Sequence, residues 1–286
     1  MTNSSVNICR SEPEVRKSGS PEARTSGSIV CSAVGGQSAL TVVEAGNPLK
    51  LIPVRGRGLS CTVCVATYGG GFVAGDTVEL AVAVERDARL MLTTQANGKV
   101  YRSDSGATAV NTVHMHVDAG ALLVSLPDPL TPFAGSRFRQ RQYVALNAGA
   151  NVVVLDWLTA GRIARKETWA FHSLDLALHV HRQGKPWVVE SLRLDPEPPA
   201  RWAQMTCLGS CIIAGPMMQE IIQSVLTTVA AMPIDADDCL ITASPLDGGC
   251  VLRFAATRSE IALARLRTLL TPLTPLLGHD PWAGRN

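Results

Sequence analysis

The 286-residue chain is nearly charge-balanced, with 26 Lys and Arg against 24 Asp and Glu, and 46% of its residues are hydrophobic. That is enough apolar material for one large or two modest domains, while no basic run or aromatic-interleaved basic patch offers a nucleic-acid face and no apolar run reaches the roughly 18 residues of a membrane span. Eight cysteines without a secretory leader predict reduced, buried thiols in a cytosolic chain rather than a disulfide framework.

Residues 1–27 are rich in Ser, Pro, Glu and Arg and nearly free of large apolar side chains. They cannot bury enough surface to offset the entropy of ordering, so a disordered polar tail is predicted. Glu12, Glu14 and Glu22 argue against an organelle transit peptide, which is poor in acids.

From residue 28 to about 214, short β segments follow one another, separated by Gly, Pro, Asp or Asn. "SALTVVEA" and "PLKLIPV" come first, then "LSCTVCVAT", "TVELAVAVE", "ARLMLTTQ", "ATAVNTVHMHV" and "ALLVSLPDP". "FRQRQYVAL", "NVVVLDWL", "SLDLALHVHR" and "WVVESLRL" complete the run. With no helical pattern between them, they predict a mainly β body rather than a βαβ sheet.

Within that run, "YGGGFVAGDTVELAV" (68–82) imitates two phosphate loops. Gly69, Gly71 and Ala74 satisfy the dinucleotide fingerprint, and Gly70–Thr77 reads as a Walker A motif with Asp76 in place of its lysine. A phosphate loop must open a helix, whereas Thr77 onward alternates apolar and polar as a half-buried strand. Asp76 would also repel phosphate. The stretch is therefore read as a glycine-rich connection whose residues turn at positive φ or allow close approach.

Two helices are expected toward the C-terminus. Pro216 opens the first at its N1 position, and Met217, Met218, Ile221, Ile222, Val225, Leu226 and Val229 form its apolar stripe. Thr257–Glu260 reads as a capping box for the second, which carries Ile261, Ala264, Leu266, Leu269 and Leu270 and stops before Pro272. Short strands near 205–214, 239–245 and 250–256 frame the first. Their apolar faces cover the β body or, together with Trp282 near the chain end, meet a partner.

Two His-x-His pairs, His114/His116 and His179/His181, place both imidazoles of each pair on one strand face. Each pair is a candidate for transient metal contact, or for a β-rich metal-dependent enzyme. Exposure on a solvated face predicts the same location, and no third ligand is identifiable. Cys61 and Cys64 would point to opposite faces of a strand, and Cys207 and Cys211 are expected to share a face only in a helix. Structural thiols are the reading for both. The sequence contains no G-x-S-x-G, H-E-x-x-H or EF-hand pattern. Asp156 and Glu190 are acids flanked by apolar residues, and a buried carboxylate needs a cation or several donors. Arg162 and Lys99 are the candidate counter-charges.

Four segments, "GGGFVAGD" (69–76), "LTTQANGKVYRS" (92–103), "LPDPLTPFAGSRFRQ" (126–140) and "DWLTAGRIARKETW" (156–169), make the chain resemble the urease accessory family called UreD, or UreH in some bacteria. The resemblance runs from about residue 48 to the mid-200s, although Asp156 stands where the family more often has Glu and Lys166 where it often has Gly. It implies a large β-rich helicoid body with two late helices, residues 28–286 forming a single domain. The implied role is non-enzymatic. Such proteins bind apo-urease and recruit UreF, which holds the GTPase UreG that delivers nickel. No tightly bound cofactor is expected, nickel being transient. Asp76, Asp156 and Glu190, with Lys99 and the histidines as lesser candidates, would line a polar passage, because oxygen ligands release a divalent cation readily. Asp76 could equally be structural. Gly69, Gly70, Gly71, Gly75, Tyr101, Arg102, Arg162 and Glu167 would serve the fold of the motif.

Overall fold

The computed structural model describes residues 26–54, 58–195, 204–233 and 238–283. The expected polar tail lies outside the described residues except for Ser26 and Gly27. Strands follow one another as β1 (Gly27–Val34), β2 (Gln37–Ala45), β3 (Leu49–Val54), β4 (Cys61–Thr67), β5 (Gly71–Phe72), β6 (Thr77–Val84), β7 (Arg89–Thr94), β8 (Gly98–Val100) and β9 (Ala109–Val117). Next come β10 (Leu122–Ser125), β11 (Leu130–Pro132), β12 (Arg137–Leu146), β13 (Asn151–Thr159), β14 (Ser173–Arg182), β15 (Lys185–Leu194) and β16 (Cys207–Ala214). Helix α1 (Gln219–Ala231), strands β17 (Cys239–Leu246) and β18 (Gly249–Ala256), helix α2 (Ser259–Leu270) and a short α3 (Thr274–Leu277) complete the chain.

Two sheets face each other. The first runs β15-β14-β12-β9-β6-β1-β2, and the second runs β17-β18-β16-β13-β10-β7-β4-β3. In the first, β1, β6, β9, β12 and β14 are mutually parallel neighbours, and in the second so are β4, β7, β10 and β13. Parallel neighbours cannot be joined by a hairpin. Here each crossover is a strand of the other sheet, so the chain winds from first sheet to second, through a short third side formed by β5, β8 and β11, and back. The β-rich helicoid body is thus present, with parallel order achieved without helices between strands.

Alternation explains the packing. On β6, Val78, Leu80, Val82 and Val84 are buried, and they join Met115, Val117, Val144, Leu178 and Val180 between the sheets. A second inter-sheet cluster gathers Val100, Phe138, Leu158, Trp169, Phe171 and Leu174. The outer face of the second sheet is covered in turn by α1 and α2, so β13 is buried on both sides. That is why it reads as a near-continuous apolar run. Gly209 on β16 is required by this packing, since a Cβ there would lie 2.4 Å from the Phe254 ring and 2.5 Å from Trp157 Cβ.

Several expectations need correction. Pro216–Met218 forms a 3-10 turn ahead of α1, and Met217 is exposed while Met218, Ile221, Ile222, Val225 and Val229 are buried. The capping box is not formed: Arg258 is the N-cap without a side-chain bond, and the Thr257 hydroxyl donates to Asp238 O instead. Ala262, not Ala264, faces the core of α2. The apolar helix faces are packed on the β body, the first of the two placements expected of them, and Trp282 is only 4% exposed within that core. Cys207 and Cys211 lie on a strand and both enter the same cluster, because period two also brings i and i+4 to one face. All described cysteines are free thiols, and burial pushes Cys207 up to about 12.

Candidate functional site

Inward-facing positions of the paired sheets are apolar except in one band. On β12 the inward residues are Phe138, Gln140, Gln142, Val144 and Leu146, and on β9 they include Asn111 between Ala109 and Val113. On β13, Val152, Val154 and Leu158 point inward, with Asp156 among them. Strand pairing continues the band: Asp156 is opposite Ser210 on β16, and Ser210 is opposite Arg253 on β18. Glu190 reaches Arg253 from β15, the edge strand of the first sheet. A polar layer therefore crosses the molecule between the two inter-sheet apolar clusters.

Asp156 is its centre. Gln140 Nε2 donates to Asp156 Oδ1 at 3.1 Å and to Oδ2 at 3.3 Å, and Asn111 Nδ2 donates to Gln140 Oε1 at 3.0 Å. No ion pair compensates this carboxylate among the described residues. Burial pushes it up to about 6, and the hydrogen bonds from Gln140 and Gln142 offset only part of that effect. Two cavities meet at its side chain. One, of about 280 Å³, runs from Thr67, Gly71, Asn97 and Asp128 at its rim down to Asn111, Gln140, Gln142 and Asp156. The other, of about 300 Å³, continues from Asp156 past Ser210 and Ser191 to Glu190 and Arg253. At the rim, the Thr94 hydroxyl donates to Asp128 Oδ2 at 2.8 Å and accepts from Asp128 N at 2.7 Å. Here a single carboxylate is the hard oxygen donor, and the amide beside it presents its nitrogen to that carboxylate, its own oxygen being taken by Asn111, so a divalent cation would find sparse ligation.

The other expected residues are placed elsewhere. Asp76 accepts from Val73 N at 2.9 Å, closing its own turn, and lines neither cavity. Among the described residues Lys99 forms no ion pair with Asp76, Asp156 or Glu190; its ammonium lies near Gly70 at the rim. Arg162 is paired with Glu167, donating at 2.8 and 2.5 Å, and lies 4.0 Å over the Phe133 ring. This guanidinium holds the Glu167 carboxyl below its ordinary value. The counter-charge for Glu190 is Arg253, which donates from Nε at 3.1 Å and from Nη2. Gly69, Gly70 and Gly75 adopt positive φ, while Gly71, in extended backbone, lets β5 approach Lys99. Tyr101 Oη donates to Gly69 O at 2.9 Å and its ring meets Phe133 edge-on. Arg102 forms an exposed pair with Asp104. Thus all four segments that carry the family resemblance converge on the third side, around the cavity rim.

The histidines occupy the outer face of the first sheet. His114 and His179 stack on the two sides of Tyr143, with centroids 5.0 and 5.2 Å from it. His116 contacts Asp118 at 3.1 Å, and His181 is separated from it by Ala145 on the intervening strand. Among the described residues, no group of three or more His, Cys, Asp or Glu is placed to hold a metal ion. Gln140, Gln142, Asn111, Ser210 and Arg253 were missed in the sequence. Each is a polar residue on the otherwise apolar face of its strand, which was the available signal.

Residues 23–285 match the family model described as UreD urease accessory protein. The chain is 39% identical over 262 residues to a urease accessory protein UreD of Anaeromyxobacter sp. (strain Fw109-5), covering 90% of this chain and 88% of that one. It is 37% identical to a urease accessory protein UreD of Sorangium cellulosum (strain So ce56), covering 90% and 83%. A urease accessory protein D of Oryza sativa subsp. indica is 28% identical, covering 91% and 96%. No described helix is long and apolar enough to cross a membrane.

Proposed function

This chain belongs to the UreD urease accessory protein family, and on that footing we propose that it is a cytoplasmic, non-enzymatic scaffold for urease maturation. It binds apo-urease, recruits UreF and through it the GTPase UreG, and gives nickel a polar route between them. The observation that carries the route is Asp156 as the shared wall of two cavities that together run from the rim on the third side to Glu190 and Arg253. A half-buried, desolvated carboxylate with no cation paired to it among the described residues is costly to hold ionised, and a passing divalent ion would supply the missing charge. Its sparse ligation favours release over storage.

The test is co-expression of this chain with the matching urease, UreF and UreG, scoring complex formation and, separately, urease activity after nickel and bicarbonate are added. A stable complex whose activation depends on this chain is expected. Asp156→Ala should keep the complex and lose activation. Activation that survives the substitution removes the route, loss of the complex as well makes Asp156 structural, and a chain that neither binds nor matters for activation removes the scaffold reading.

A further inference from the structure

Glu190 and Arg253 terminate the polar layer where the second cavity meets solvent. Arg253 occupies an inward-facing position of β18, next on its face to the buried Val251, and its cross-strand neighbour Ser210 is itself opposite Asp156. From there the guanidinium crosses to β15 and takes both oxygens of Glu190 in a two-pronged bond. The arginine side chain is 51% exposed and the glutamate 20%. The pair therefore bridges the two sheets across the cavity mouth, with the carboxylate inside and the cation toward water.

We propose that Arg253 is a gate on this mouth. The inference rests on the nickel route proposed above and names the residue that controls it. While the fork is closed, both Glu190 oxygens are engaged by Arg253 and its charge is compensated, and any divalent ion must pass a fixed positive charge. Arginine does not deprotonate at accessible pH, so the gate opens by movement. Its stem is long and half-exposed, and the head can swing into solvent without repacking the core. The open position frees the Glu190 carboxylate to receive the ion that leaves Asp156.

The experiment uses the assembled complex carrying the full chain, with limiting nickel(II) and bicarbonate, and reads the initial rate of urease activation beside complex integrity. Arg253→Gln removes the charge and should speed activation on the order of tenfold, as expected for deleting a fixed cation from a divalent ion's path. Arg253→Met, which keeps the aliphatic stem, should do the same and is decisive if the glutamine variant fails to assemble. Asp156→Asn, run in parallel, should slow activation. Unchanged or slower activation in intact complexes of the Arg253 variants, with Asp156→Asn slow, overturns the gate and leaves the route standing. Wild-type activation in Asp156→Asn overturns the route and the gate with it.

Discussion

Replacing Asp156 with Asn should stabilise the fold at neutral pH, whatever it does to the proposed nickel route. The carboxyl rises from an ordinary 3.8 to about 6 because it is buried without a counter-ion. Each unit of such a rise is worth about 1.4 kcal/mol, so the ionised form costs the fold at most about 3 kcal/mol. The two adjoining cavities are large enough to admit water, and solvation of the group by it would bring the expected value to about half that figure. The sign follows from proton uptake. An acid whose pKa is higher in the folded state favours folding fully below the ordinary value, and that contribution is lost as pH climbs through about 6. Asparagine keeps the shape and can still bond Gln140, yet never ionises. For a domain of this size about 2 °C accompanies each kcal/mol, so the variant should melt about 3–6 °C higher near pH 8. The gap should shrink as pH is lowered toward about 5. Thermal unfolding of the full chain across that range is the assay, and a gap independent of pH, or a lower melting point for the variant, refutes the reasoning.

Gly71→Ala should be much worse tolerated than Gly69→Ala, although both lie in the same glycine run. A Cβ at residue 71 would lie 2.6 Å from Lys99 O, breaking the β5–β8 approach, whereas residue 69 has open space around it and only its positive φ of 80° to overcome. The expected costs are about 3 and about 1 kcal/mol, readable in urea unfolding. His114→Ala should cost about 1 kcal/mol through loss of the Tyr143 stack and leave nickel activation at the wild-type rate. Loss of activation in a complex that still assembles would return the outer histidines to the functional argument.

Much of the fold was legible because alternation is a local signal. The eleven strands read up to residue 194 correspond to β2–β4, β6, β7, β9, β10 and β12–β15. β1 (Gly27–Val34) was not read as a strand, and the short strands β5, β8 and β11 escaped because two or three residues carry no period. The capping box failed because Thr257 had a closer tertiary partner in Asp238. At the site, Asp156 stood out as an acid within a buried strand, but its neighbours did not. Gln140 and Gln142 sit in "FRQRQYVAL", where arginines on the outer face hide the fact that the glutamines share their face with Phe138 and Val144. Pairing of Glu190 with Arg253 joins residues 63 apart in sequence, and register between sheets cannot be read from either strand alone.

The polar layer is difficult to explain as structure alone. Buried ionic and hydrogen-bonded groups can often be exchanged for apolar side chains of similar volume at no loss, or with a gain, in stability. The inward rows on either side of the layer already use that solution, with Val152 and Val154 before Asp156 and Leu158 after it. Yet polar side chains on six different strands, from Asn111 on β9 to Arg253 on β18, fall at one level of the helicoid. Independent surface drift would not align them, because a residue moves to the opposite face with each step along a strand. Their alignment beside two cavities, and the lack of an ion pair for the central carboxylate among the described residues, are what the proposed route would require of a layer that forgoes stability for function.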